Sequence, residues 1–318
     1  MRFLPDGKHI VIGGNDGTVR RWKVEEGSDQ GTKVGEPVRP EGEMNEAVVS
    51  KDGRWIILPG TEGRKVAVWD ATTHARVVES SEAHEEKITA LDVSPDASKI
   101  ASGSRDGTVN VWCLETGRRI AGPLKQGRSQ AILSVRFSPT GDRLASAGSD
   151  FLIHVWSICS DGVRYVMNIP TDPACSLAWS NDGRRLFTGG SWGSILCFDV
   201  SNSTRATTRW PNHPHFDAVS TVRLSNNGKF VISASSSECS VKIWDVHTQS
   251  EIFSLKHTSE ILDAEISPDD GYLVSGAKDG TICIWNLRKV LSASCFFHVG
   301  PNICDIDHPV LIILSHSL

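Results

Sequence analysis

Lys99-Ile100-Ala101-Ser102-Gly103-Ser104-Arg105-Asp106-Gly107-Thr108-Val109-Asn110-Val111-Trp112 is the stretch that decides how the rest of the chain is read. Two short runs suited to strands flank Asp106-Gly107, a pair that supplies the positive φ angles of a tight hairpin turn. The same arrangement returns with Asp16-Gly17 before Val19-Arg20-Arg21-Trp22 and with Asp279-Gly280 before Trp285. Val241-Lys242-Ile243-Trp244 closes another copy. Upstream of each hairpin lies an apolar-alternating stretch that ends in a different turn, as in Ile132 to Phe137 followed by Ser138-Pro139-Thr140-Gly141. Pro presets φ there and Gly takes the left-handed position without steric cost. Variants of that turn are Leu4-Pro5-Asp6-Gly7, Ser50-Lys51-Asp52-Gly53, Ser94-Pro95-Asp96-Ala97, Ser180-Asn181-Asp182-Gly183, Ser225-Asn226-Asn227-Gly228 and Ser267-Pro268-Asp269-Asp270.

The Trp residues set the period. Trp22, Trp69, Trp112, Trp156, Trp244 and Trp285 occupy one recurring place, and Phe198 fills the gap, at intervals of 47, 43, 44, 42, 46 and 41 residues. That mean, about 44, is the period of propeller blades. No segment sustains a helical period, and a fourth, less regular strand is expected in each linker. Trp69-Asp70 and Trp244-Asp245 carry a literal Trp-Asp dipeptide, with Trp285-Asn286, Trp112-Cys113 and Trp156-Ser157 as drifted forms. On these residues the chain resembles the WD-repeat family over roughly residues 1 to 288. The resemblance implies an all-β, seven-bladed propeller of four-stranded antiparallel blades around a channel. Packing gives the same answer, because a lone four-stranded sheet cannot bury both faces and several must stack radially. The propeller is assigned to residues 1–289 and an atypical tail to 290–318. The first copy starts late, leaving blade one incomplete at the N-terminus. One reading has Val290 to Phe297 as the outer strand of blade seven and Val310 to Leu314 filling the inner strand of blade one. The other has the tail packing nowhere.

Composition narrows the function. The 318 residues carry 33 Lys+Arg against 38 Asp+Glu, a net charge of −5, so bulk charge offers nothing to nucleic acid and none is expected as a partner. Val310 to Leu314 is far too short to span a bilayer, and no membrane association is expected. The opening Met1-Arg2-Phe3-Leu4-Pro5-Asp6-Gly7 turns at once rather than reading as a secretory signal, and the eight cysteines include no C-x-x-C pair. Reduced thiols in an intracellular protein, cytoplasmic or nuclear, are therefore expected.

Ser, His and Asp do recur together. His84, Ser102, Asp106 and Trp112 stand at offsets of 18, 4 and 6 residues, and His257, Ser275, Asp279 and Trp285 repeat them. The sixth copy has His215, Ser233 and Trp244, with Glu238 near the Asp place. A hydrolase needs such a triad once, whereas a blade staple recurs; the resemblance implies a structural tetrad in which Asp fixes His while His and Ser tie the strands to the indole N–H. Gly189-Gly190-Ser191-Trp192-Gly193 spells G-x-S-x-G but sits at a strand-to-strand turn rather than a strand-to-helix elbow. Arg128 and Pro170 take the His place in blades four and five, and Pro59 and Glu62 replace Ser and Asp in blade two, so blades two and five are expected to be the loosest. His213-Pro214-His215 and Cys295, His298, Cys304 and His308 match no established metal spacing, and no metal or cofactor is expected.

The resemblance further implies a platform whose ligands bind the face carrying the tight Asp turns. It points to Asn15, Arg105, Ser149 and Lys278 before the turn Asp, and to Glu43, Asn45, Lys87, Thr89, Ala131, Leu133, Ala218, Ser220, Glu260 and Leu262 beside each inner strand. Arg105, Lys87 and Lys278 are either a basic cluster for an acidic peptide or solvated charges. The reading is a non-catalytic protein-interaction scaffold or recognition module, similar to fungal WD-repeat proteins and the propeller regions of NOD-like receptors. A cullin-type ubiquitin ligase receptor is the alternative, since Trp285-Asn286-Leu287-Arg288 approaches W-D-x-R. A propeller enzyme is the rival of another class.

Overall fold

A computed structural model describes residues 1–14, 17–24, 32–39, 46–126, 130–159, 162–200, 206–210 and 214–294. Blade three shows how the sequence builds a blade. Its strands run Ile88–Val93, Lys99–Ser104, Thr108–Cys113 and Arg119–Lys125 from channel to rim, and each pairs antiparallel with the next. The first turn is closed by Ser94, whose Oγ donates to Asp96 Oδ1 at 2.5 Å and accepts the Lys99 N–H at 2.9 Å. The hairpin at Asp106-Gly107 follows, with Gly107 at φ +78°. Where the Trp-Asp dipeptide is literal, its Asp closes the turn to the outer strand: Asp70 Oδ1 accepts the N–H groups of Thr72 and Thr73, and Asp245 Oδ1 those of His247 and Thr248.

Seven such sheets are arranged in a ring, their inner strands neighbouring one another in chain order and the first, Arg2–Phe3, lying between Val48–Val49 and Ile261–Ile266. Six sheets have four strands. Blade one is among them, with its inner strand cut to the two residues Arg2–Phe3. The core is a set of wedges between blades rather than one central mass. Ile57, Val66 and Val68 of blade two pack on Ile88, Leu91, Ile100 and the wholly buried Trp112 of blade three. Large side chains fill the gap that opens where twisted sheets splay apart. The ring closes by the same packing, Phe3, Ile10 and Ile12 against Val274, Ile282 and Ile284.

Blade seven has three strands among the described residues. Of the two readings of the tail, the one that makes Val290 to Phe297 an outer strand is corrected there, since Leu287–Ser294 is a helix. Asn286 caps it, Oδ1 accepting the Lys289 N–H at 3.1 Å, and Leu287, Val290 and Leu291 share the face that seats on the blade core. Val310 to Leu314 lie outside the described residues.

Candidate functional site at the channel mouth

Five of the seven inner strands carry a charged residue just before their last apolar one. These are Arg2, Asp92, Arg136, Arg223 and Glu265 in blades one, three, four, six and seven. Four of them, with Glu46, form an ionic chain from Arg136 to Arg223. Arg2 Nη1 donates to Glu265 at 2.8 Å and Nη2 to Glu46 at 3.1 Å; Arg136 Nη2 reaches the same Glu46 oxygen at 3.1 Å, and Arg223 Nε meets Glu265 at 3.1 Å. The carboxylates also accept backbone donors, Glu46 from Leu91 at 2.7 Å and Asp92 from Phe137 at 2.7 Å. Burial raises the Asp92 pKa, the nearby Arg136 only partly opposing it. Burial also pushes Asp263 up, but the Met1 amino group, Arg223 and Arg2 outweigh it and hold that carboxyl well below the usual range.

Above this network, on the face bearing the tight turns, the channel opens into a cavity of about 470 Å³. All seven blades contribute to it, through Ile12, Glu46, Thr89, Arg136, Ser176, Thr221 and Asp263 among others. The buried Ser134 hydroxyl lines it with no hydrogen-bond partner. Of the residues the sequence singled out, Thr89, Leu133, Ser220, Leu262 and Lys278 line the cavity. Leu262 is 50% exposed. Lys87, Arg105, Ser149, Ala131, Ala218 and Glu260 do not line it. Arg105 and Lys278 are not brought together: they sit on blades three and seven, and Lys278 Nζ pairs with Glu260 at 3.0 Å. Asn15, Glu43 and Asn45 lie outside the described residues.

The Ser–His–Trp sets stand inside the blades, away from the mouth. In blade three, Trp112 Nε1 donates to Ser102 Oγ at 2.8 Å, His84 Nε2 lies 2.7 Å from the same oxygen, and His84 Nδ1 is 3.2 Å from Asp106. Burial would raise the Asp106 pKa, yet hydrogen bonds from His84 and Thr108 hold it well below its ordinary value. Blade seven repeats the Trp285–Ser275–His257 part at 2.8 and 2.6 Å. Its Asp279 turns instead to Thr258 and Thr281, and His257 Nδ1 meets Cys283 Sγ at 3.5 Å. Blade six has Trp244 and His215 on Ser233 at 2.8 and 2.6 Å, with Glu238 3.0 Å from His215 Nδ1 but in no aligned hydrogen bond. Burial pushes both His215 and His257 down to about 4. Each of these serines is wholly buried and already engaged by an indole, so none presents a nucleophile. Ser191 Oγ donates to Pro173 O at 3.1 Å and has Cys175 Sγ at 3.3 Å, with no imidazole bonded to it.

Blade four uses residues the sequence did not reveal. Ser146 accepts Trp156 Nε1 at 2.9 Å and also Gln126 Nε2, while His154 Nε2 meets Asp150 at 2.7 Å. Arg128, expected in the His place, lies outside the described residues, as do His213, Cys295, His298, Cys304 and His308. At the place of the staple itself, blades two and five leave a polar atom stranded. In blade two the Trp69 indole N–H is buried without a partner, Pro59 standing where its Ser acceptor would be. In blade five Thr188 Oγ1 is buried without a partner, because Phe198 brings no N–H and Pro170 no imidazole. Among the described residues no cluster of three or more His, Cys, Asp or Glu could hold a metal, and no helix is long and apolar enough to cross a membrane.

Seven radial sheets around an open, polar-lined channel define a β-propeller with a ligand-sized mouth. The profile of the WD domain, G-beta repeat, matches residues 1–23, 76–113, 122–157, 164–199, 206–245 and 249–286, leaving most of blade two unmatched, and the chain belongs to that family. It is 24% identical over 282 residues to the Protein groucho of Drosophila melanogaster, covering 88% of this chain and 37% of groucho. It is 23% identical over 301 residues to the Ribosome biogenesis protein WDR12 homolog of Drosophila virilis, covering 89% of this chain and 71% of that protein.

Proposed function

We propose that this chain is a non-catalytic protein-interaction scaffold that receives a partner on the turn-bearing face, at the channel mouth. The observation that carries the reading is the cavity itself, about 470 Å³, walled by all seven blades and rimmed by exposed loops. A rigid ring holding a concave, mixed apolar and polar surface suits a protruding side chain or loop of another protein. Against catalysis stands the burial of every Ser–His pair described above. One of the two relatives is named for ribosome biogenesis, but a fold does not by itself set the partner, which the loops must do. An intracellular setting accords with the free thiols of Cys113, Cys159, Cys175, Cys197, Cys239 and Cys283.

The test is affinity capture from a native lysate with wild type, Leu262→Arg at the mouth, and Lys51→Glu on the opposite face. Loss of specific partners by Leu262→Arg alone supports the reading. Equal capture by all three, or loss confined to Lys51→Glu, would overturn the placement of the site.

A further inference from the structure

Two adjacent blades break the repeat in a way that costs stability and exposes aromatic surface. At the second position of the tight turn stands Asp106, Asp150 or Asp279, but blade five has Trp192. At the next position stands Gly17, Gly107, Gly193 or Gly280, all at positive φ, but blade four has Phe151 at φ +63°. A bulky residue in the left-handed region is strained. Burial does not repay it, since Phe151 is 49% and Trp192 56% exposed. The two rings lie against each other across the blade boundary, centroids 5.8 Å apart. A third aromatic stands on the adjoining loop. The N–H of His215 donates to Gly193 O, so the loop into blade six abuts the Trp192 turn and carries Phe216, 95% exposed. Only glycine allows that approach, because a Cβ on Gly193 would fall 1.9 Å from His215 O. Contiguous exposed aromatics of this kind mark interaction surfaces.

The shelf borders the channel mouth, for Cys175 lines the cavity and contacts Ser191 beside Trp192. Four carboxylates, Asp150, Asp172, Asp217 and Glu238, lie on its loops. Asp150 meets His154 at 2.7 Å and Asp172 meets Arg209 at 3.6 Å. Lys242 is taken by Glu238 at 3.0 Å, and exposed Asp217 has no ion pair among the described residues. We infer that Phe151, Trp192 and Phe216 form a docking shelf for an extended segment of a partner protein carrying Lys or Arg beside an apolar residue. The apolar side chain packs on the Phe151–Trp192 pair. The cation lies over the open aromatic faces with Asp217 as counter-charge, an arrangement that aromatic quadrupoles and carboxylates both favour. The inference rests on the scaffold reading and names the chemistry of its partner.

The test uses the whole chain and a phage-displayed library of random dodecapeptides, followed by titration of the synthetic consensus peptide. Enrichment of Lys or Arg next to Pro, Leu or an aromatic residue is expected. The affinity for that peptide should fall about tenfold or more in Trp192→Ala and several-fold in Phe151→Gly. Phe151→Gly should melt at or above the wild-type temperature, because it relieves the strain. A consensus without a basic residue, no enrichment, or melting of Phe151→Gly several degrees below wild type would overturn the inference. Retention by Trp192→Ala with loss in Leu262→Arg would overturn the shelf while leaving the scaffold reading intact. Retention by both would overturn the two together.

Discussion

Ser102→Ala in blade three and Thr188→Val in blade five remove a hydroxyl from the same repeat position, and the structure predicts opposite results. Ser102 Oγ accepts the indole of Trp112 at 2.8 Å and sits 2.7 Å from His84 Nε2. Its loss strands the Trp112 N–H in a fully buried site, and a buried unpaired group costs about 1–3 kcal/mol. His84 is stranded only in part, because Asn110 Nδ2 lies 3.2 Å from Nε2. The expected destabilisation is about 2–4 kcal/mol. Thr188 Oγ1 is buried with no partner to lose, so the isosteric valine removes an uncompensated polar atom and gains about 1 kcal/mol. Urea titration at neutral pH gives the stabilities, and hydrogen exchange localises the loss to the strands Lys99–Ser104 and Thr108–Cys113. Equal effects of the two substitutions would refute the claim that hydrogen bonding, rather than packing volume, distinguishes the blades.

Further expectations follow from the same contacts. His215 and His257 are held neutral down to about 4 when folded, whereas a free imidazole titrates near its ordinary 6.5. Between those values the unfolded chain binds more protons, so stability should drop as pH falls from about 6.5 to about 4. His215→Gln should flatten that slope, and an unchanged slope would refute the assignment. Alkylation mapped by mass spectrometry should label the exposed Cys239 in the native protein and spare Cys283, buried and with its thiol pushed up to about 12, until unfolding. Native labelling of Cys283 would contradict the packing of blade seven. Gly193→Ala forces a Cβ into His215 O at φ +77° and should lower the melting temperature by several degrees; an unaltered melt would contradict the close approach of those loops.

Much of the fold was legible because a propeller repeats its constraints. Seven Trp or Phe marks and their two turn types located the strands, and the recurrence of Ser, His and Asp argued for staples over catalysis. The strand reading of the tail failed because Leu287, Val290 and Leu291 form a short apolar set that suits a strand or a helix equally, and only the blade core beneath it decides. Blade four's contacts escaped because Gln126 reaches Ser146 from two residues before the expected place and His154 comes from the third strand. The channel network was available in outline, since Arg2, Asp92, Arg136, Arg223 and Glu265 share one repeat position, but their pairing depends on ring geometry. Phe151 and Trp192 departed visibly from the repeat. That they touch, and remain exposed, is a fact of the folded ring alone.

The most direct measurement is hydrogen exchange on the propeller with and without a partner captured from the lysate. The account predicts added protection in the loops around residues 87–89, 131–133, 218–220 and 260–262, at the channel mouth. Protection confined to the opposite-face turns at 50–53, 94–97, 138–141 and 180–183 would contradict it.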